Sequence, residues 1–453
     1  MSDSASEISS SRAPHEHDPY AALRYGDFRL FLIGNVVAVL GLQMQTVAVG
    51  WEVWKRTNMA LALGSIGLAL ILPIFLLALV TGHVADQFNR KWIMMLALAT
   101  MALGSIGLVI VSLTDAHVFW IYICLLLSGI ARAFHQPAKS AMMPQTVDRK
   151  HFSNAVTWST GGFHLASVLG PALAGLLLSS FESAVPVYAF DAAAALFFCL
   201  LLLRIRSRPV AAPRQAFTLD NLAGGFAFVK QNKIILAAIT LDMLAVLLGG
   251  ATTLLPIYAD EILQVGPAGL GWMRAAPAAG AVVMAFVLAY RPPMQHAGRA
   301  LLWSVVGFGT ATIVFGVSRS FWLSLVALFL TGAFDNISVV IRHTLVQVLT
   351  PDAMRGRVSA VNGLFIGASN ELGGFESGLV AQFFGSTFSV VSGGIGTLLV
   401  VASTALAWPQ LRRYGRLDSS DAAQLGPADH QQEEELTSTQ PDPAKPHAAV
   451  DPA

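Results

Sequence analysis

Charge is scarce in this chain: 12% of its 453 residues are Asp, Glu, Lys or Arg, against 55% hydrophobic. A soluble chain carries about 25% charged residues, so an ordinary water-facing surface is excluded for most of the length. Cysteine is nearly absent as well. Cys124 and Cys199 both lie inside apolar runs, which excludes a disulfide framework and a thiolate metal site and leaves two small hydrophobes. There is no Gly-x-x-x-x-Gly-Lys-Ser/Thr loop, which argues against direct ATP drive within this chain. Nor is there a His-Glu-x-x-His or Cys-x-x-Cys pair, which argues against an embedded metalloenzyme. We therefore expect neither a cofactor nor a metal, and not an enzyme. A net charge of +1 gives no sign of nucleic acid, and none is expected as a partner. Residues 1–23 lack the basic and apolar regions of a cleaved secretion signal, and read as a disordered arm.

What is present is a series of apolar runs of about 20 residues, the length that crosses a bilayer. In the first half they fall at 29–51, 62–82, 92–113, 118–140, 154–180 and 186–204; in the second at 234–258, 268–290, 299–317, 321–348, 358–384 and 388–408. The expected organisation is an arm over 1–23, a six-helix half over 24–204 and a linker over 205–233 with an amphipathic helix suited to the membrane interface. A second six-helix half over 234–408 and a disordered tail over 409–453 complete it. The fold class is all-α: twelve transmembrane helices in two pseudo-symmetric halves.

The halves are versions of one unit. GIARAFHQPAKSAMMPQTVDRKHFSNAV aligns with GAFDNISVVIRHTLVQVLTPDAMRGRVSAV, which begins at Gly332, and Pro73 aligns with Pro277 at nearly the same offset. A parallel repeat of six spans is a transporter's architecture, because two similar halves can rock about a shared cavity and expose it alternately to the two sides. Lys and Arg crowd into the even-numbered connections (Arg90, Lys91, Arg149, Lys150, Arg204, Arg206, Arg291, Arg299, Arg355 and Arg357 among them), while the opposite loops hold Lys55, Arg56 and Arg319. Positive charge stays inside, so both termini are expected in the cytoplasm of a multi-pass inner-membrane protein.

Between the second and third spans stands GHVADQFNRK. It resembles the loop signature of the major facilitator superfamily, Gly-x-x-x-Asp-Arg-x-Gly-Arg-Arg, through Gly82, Asp86, Arg90 and Lys91, with Gln87 and Asn89 departing from it. The glycine permits close helix approach, and an acid followed by bases can form a charge cluster and cap a neighbouring helix. The resemblance implies a cytoplasmic latch, broken when the transporter opens inward. The equivalent stretch of the second half, YRPPMQHAGRA, has lost the acid. In the fifth span GPALAG, with Gly170 and Pro171, is similar to the Gly-Pro-x-x-Gly-Gly element of the superfamily's exporters, with Ala174 in place of one glycine. A proline beside glycine can bend a helix or let it pack tightly, and either use is open. FHQPAKSAMMP, TPDAMRGRV and SNELGGFESG resemble the transmembrane secretion effector branch, that of siderophore and macrolide exporters, over about residues 20–410.

Ionisable residues at membrane depth cost on the order of 2.5–3.5 kcal/mol each unless paired or hydrated, and so mark function. They are Arg132, Asp191, Asp242, Arg274, Asp335, Arg342, Glu371 and Glu376, with His135 and His164. Arg132 aligns with Asp335 across the repeat; they could line a cavity together or form a structural pair holding the halves together. Asp335 and Arg342, seven apart, share a helix face two turns apart, which makes Arg342 a plausible mate for Asp335. That leaves Asp242 and Glu371 favoured for proton work. Glu371 and Glu376 are five apart, about 140° around a helix, so they do not face one cavity equally. His164 is either a proton carrier or a satisfied polar group. Asp191 and Arg274 fall near expected span ends, where capping or snorkelling suffices. The sum is a monomeric secondary transporter in the lipid bilayer, exporting a small amphipathic molecule such as a siderophore or drug in exchange for protons. Import of a metabolite on the same fold and a transport-dead sensor are the alternatives.

Overall fold

The computed structural model describes residues 18–206, 219–292 and 294–415. The first half consists of α1 (Gly26–Thr57), α2 (Ala60–Gln87), α3 (Arg90–Leu113), α4 (Phe119–Met142), α5 (Phe152–Phe181) and α6 (Val185–Arg204). After the linker helix α7 (Leu219–Gln231) come α8 (Lys233–Leu248), a single turn α9 (Leu255–Ile257), α10 (Gly266–Ala289), α11 (Ala297–Val317), α12 (Phe321–Leu349), α13 (Asp352–Phe384), α14 (Ser386–Ala407) and the short α15 (Pro409–Arg413). Among the described residues there is no strand. Eleven segments are long and apolar enough to cross a membrane, α8 and α9 counting as parts of one. The twelfth is α13, 33 residues long and packed on α2 and α8 although it carries Glu371 and Glu376.

The repeat in sequence is a repeat in packing. A proline inside α2 or α10 removes one backbone donor and loosens the helix there, and in each half a glycine lets the fourth span close on that stretch. A Cβ on Gly129 of α4 would stand 2.6 Å from the Leu70 carbonyl and 3.2 Å from Pro73. On α12, Gly332 abuts the backbone of Pro277 in the same way. The halves then meet through symmetry-related pairs, α2 on α13 and α10 on α5.

These inter-half crossings are tight at the end remote from the termini and open toward the terminal end. Along α13, Gly378 and Gly374 lie against Gly64 of α2, whereas among the described residues a Cβ on Gly367 would meet only the Ile71 side chain, at 3.9 Å, and one on Gly363 nothing within 4 Å. Gly175 of α5 and Gly271 of α10 approach equally closely, a Cβ on Gly271 falling 2.5 Å from the Pro171 carbonyl, whereas a Cβ on Gly161, nearer the termini, would meet nothing within 4 Å among the described residues. At the remote end Asp260 accepts from Trp54 Nε1 at 3.0 Å and from Lys55 Nζ at 2.9 Å, and Gln382 Oε1 accepts from the Leu61 amide at 3.2 Å. The molecule is thus closed at the remote end and splayed at the terminal end.

Several element boundaries differ from the sequence reading. The seventh span is not one helix over 234–258: α8 stops at Leu248, and Gly249–Gly250 lead into a 3-10 turn and, after α9, a π turn over Tyr258–Ile262. Paired glycines end the helix, and Gly250 permits close contact with the Gly373 carbonyl of α13. Residues 18–23, expected in the disordered arm, are structured, because Asn154 Nδ2 and Trp158 Nε1 of α5 both donate to the Pro19 carbonyl and Asn154 Oδ1 accepts from the Ala22 amide. Similarly the tail holds α15, whose Leu411 is buried against Gly298 of α11; residues 1–17, 207–218 and 416–453 lie outside the described residues. The linker helix α7 packs on α13, with Phe226 stacked on Phe365 at 6.3 Å, and Asn232 caps α8 by accepting from the Ile234 and Ile235 amides.

Candidate substrate cavity and buried ionisable groups

Close packing at the remote end leaves a cavity of about 280 Å³ where the halves face each other. The first half supplies Gln43, Thr46, Gly67 and Arg132; the second supplies Thr253, Arg274 and Glu371. Arg132 points inward because Gly129, one turn earlier, seats α4 on α2. Its Nε is buried with no hydrogen-bond partner among the described residues. Arg274 donates from Nη1 to the Thr252 carbonyl at 3.0 Å, satisfying a backbone acceptor that the break after α8 releases. Glu371 Oε2 lies over Gly67, 2.5 Å from where a Cβ would be, within electrostatic reach of both guanidiniums. No ion pair joins Glu371 to either arginine within 4.0 Å among the described residues. The cavity therefore presents two cations and one anion that are separated from one another, with donors free to meet a guest. A broken helix with exposed carbonyls beside a midplane cavity is a frequent substrate site in transporters.

A second group lies inside the second half. Asp242 of α8 forms an ion pair with Arg342 of α12, the two side chains being 9% and 2% exposed. Asp335, on α12, faces the same small pocket as Asp242. A third lies inside the first half, where Asp191 Oδ2 accepts from Ser105 Oγ at 2.6 Å and from Gln45 Nε2 at 3.0 Å.

This arrangement corrects four sequence expectations. Arg342 is paired with Asp242, not with Asp335: two turns of helix separate Asp335 from Arg342, while α8 brings Asp242 directly against the guanidinium. Arg132 and Asp335, although aligned in the repeat, face different spaces, the central cavity and the second-half pocket. Asp191 is not at a span end needing a cap, being buried between α1, α3 and α6. Arg274 is a cavity residue.

Other candidates fall elsewhere. Glu376 is half-buried and accepts from Ser377 Oγ at 3.5 Å. His164 is half-buried, its ring edge-on to Phe163 at 5.8 Å, and outside the cavity. Asp86, expected in a loop, lies in the last turn of α2, as the helix runs on to Gln87; Gly82 is one turn before it, and the Asp86 side chain is outside the described residues. Arg90 starts α3. Lys91 Nζ donates to the Leu203 and Ile205 carbonyls at 3.1 and 3.0 Å, closing the C-terminus of α6. Gly170 packs against the Leu40 carbonyl and Gln43 of α1, Pro171 presents its carbonyl to Gly271, and α5 continues through both. Sequence reasoning missed Thr252, Thr253 and the break that exposes them, though the Gly249–Gly250 pair inside an apolar run was a readable signal.

Twelve membrane helices in two repeated halves around a polar central cavity define a transporter of the major facilitator fold, which is not an enzyme. The chain belongs to the transmembrane secretion effector family, whose model matches residues 17–440. It is similar to the enterobactin exporter EntS of Escherichia coli O1:K1 and to that of Shigella boydii serotype 18, each 26% identical over 394 residues covering 85% of this chain and 93% of the relative. Among solved structures, its fold is similar to that of a bacterial homologue of the human lysosomal transporter Spinster, in an inward-facing and unoccupied conformation (TM-score 0.68, 14% identity, 86% of this chain and 98% of that one). A bacterial homologue of the iron transporter ferroportin, inward-facing, gives a TM-score of 0.67 at 15% identity over 86% of this chain and 99% of that one.

Proposed function

We propose that this protein is a monomeric, proton-driven exporter of a small amphipathic molecule, a siderophore, drug or similar compound, working by alternating access in the bacterial inner membrane with both termini in the cytoplasm. The observation that carries this reading is the cavity between the halves, holding Arg132, Arg274 and Glu371 and clamped at one end only. Basic residues concentrate in the loops at the terminal end, which supports placing that end, and the splayed mouth, in the cytoplasm. A cytoplasm-facing mouth is where an exporter loads. Exporters among the relatives support the direction, and EntS supports a siderophore-sized cargo.

Separated charges in the cavity orient a polar guest, while Val47, Leu63, Leu70 and Leu270 accept its apolar part. Loading pulls Arg132 and Arg274 of opposite halves toward a common partner, and closure at the terminal end then opens the remote clamp at Asp260 and the α5–α10 crossing. The test is an untargeted comparison of small molecules retained by cells with and without the protein, repeated with an uncoupler. The reading predicts one or a few amphipathic compounds depleted from expressing cells, and depletion lost on uncoupling. Accumulation instead of depletion reverses the direction; depletion indifferent to the uncoupler removes proton drive.

A further inference from the structure

The second-half pocket shares no lining residue with the cavity and holds its own charge arithmetic. It is about 10 Å³, on the order of one water molecule, and is lined by Asp242, Ser304, Phe308, Phe334, Asp335 and Ser338. Arg342 is committed to Asp242. Asp335 is partly exposed, and no hydrogen bond or ion pair reaches its carboxylate among the described residues. Beside it, Ser338 Oγ and Arg342 Nε are buried without hydrogen-bond partners among the described residues. The Arg342 guanidinium answers the Asp242 carboxylate, and Asp335 has no ion-pair partner of its own among the described residues.

The two sites need opposite things. The cavity has two cations to one anion; the pocket has two anions to one cation and reaches neutrality by gaining a single proton. Apolar surroundings favour the neutral state. Other charged groups on the elements packed against α12 do not complete it: α11 carries Arg299 near its start and offers Ser304, Val305 and Phe308 to the pocket, and Arg274 of α10 is directed to the Thr252 carbonyl. From α13, Arg355 reaches the terminal-end Gln347 carbonyl and Glu371 the cavity. His343 follows Arg342 on α12.

We propose that this pocket is the proton-binding site of the transport cycle, carrying one proton on Asp335 while Arg342 pairs with Asp242. The proton comes from water at the exposed side of Asp335, forming an O–H bond on its carboxylate, and returns to water when that bond breaks. This assignment rests on the proton-driven reading above and replaces Glu371 as the group that carries the proton.

The test is infrared difference spectroscopy on the full-length protein in lipid nanodiscs, between acid and alkaline endpoints. Subtracting the Asp335→Asn spectrum from wild type should leave one protonated-carboxyl band worth about one group per molecule. Asp335→Glu, which keeps a carboxyl on the same helix face, should retain that band, as should Glu371→Gln. Size-exclusion profiles and thermal unfolding establish that each variant is folded. An Asp335→Asn spectrum matching wild type overturns the assignment, as does a band lost in Glu371→Gln; the latter moves the proton to the cavity and leaves proton drive standing. Export that ignores an uncoupler while the Asp335 band is present sinks the proton-driven reading alone.

Discussion

Asp242 and Arg342 show most plainly what a buried charge requires. Removing one partner of a buried pair leaves the other unpaired, at a cost of about 3–5 kcal/mol, while replacing both by apolar residues of similar volume is often close to neutral. Asp242→Asn should therefore lower stability by about that amount, and the double variant Asp242→Leu with Arg342→Met should recover most of the loss; thermal unfolding in one detergent compares them. A double variant no more stable than Asp242→Asn would show that the pair is not what holds α8 to α12. A similar expectation applies to the first half. Asp191→Ala removes the buried carboxylate that accepts from Ser105 and Gln45, leaving them each other and the Met101 carbonyl, and losing those charge-assisted bonds should cost about 1–3 kcal/mol, measured the same way; no loss would mean that those hydrogen bonds contribute nothing. Each ionisable residue was legible as a candidate from its depth in an apolar run, but its partner was not. Spacing along one helix suggests Asp335 for Arg342, whereas the actual partner is a hundred residues away in sequence, on a helix that only the three-dimensional packing brings alongside.

Helices here are specified by what interrupts them. Gly249–Gly250 divides the seventh span and so frees the Thr252 carbonyl that positions Arg274, and hydropathy averaged over a window passes over such a break because the flanking residues stay apolar. The GPALAG segment was visible, yet its two uses could not be separated: in the structure its glycines bring α5 onto α1 and α10. A side chain at Gly271 would press on the Pro171 carbonyl, so Gly271→Val should wedge the remote end apart. The measurement is labelling of Gln43→Cys, inside the cavity, by a membrane-impermeant thiol reagent in vesicles of both orientations, with Cys124 and Cys199 replaced by serine. The parent should label from the terminal side, and Gly271→Val should move labelling to the remote side by several-fold. Unchanged sidedness would mean that this crossing does not set the state.

At the scale of the molecule the repeat was the most legible feature. Gly129 and Gly332, with Pro73 and Pro277, identify equivalent helices in the sequence and make equivalent contacts in space. What the repeat could not convey is the state in which the halves rest, since a symmetric unit is compatible with opening at either end; that depends on contacts such as those of Asp260 with Trp54 and Lys55. Two halves rocking about one cavity require that its ends never open together. The direct measurement is a pair of spin-label distances in nanodiscs, in the same cysteine-free background: His117→Cys with Arg319→Cys across the remote end, and Lys150→Cys with Gln295→Cys across the terminal end. Alternating access predicts two populations, one short at the remote end and long at the terminal end as in this structure, the other reversed, with their shares shifting oppositely as pH is changed. Distances that stay fixed in both pairs, or lengthen together, would contradict it.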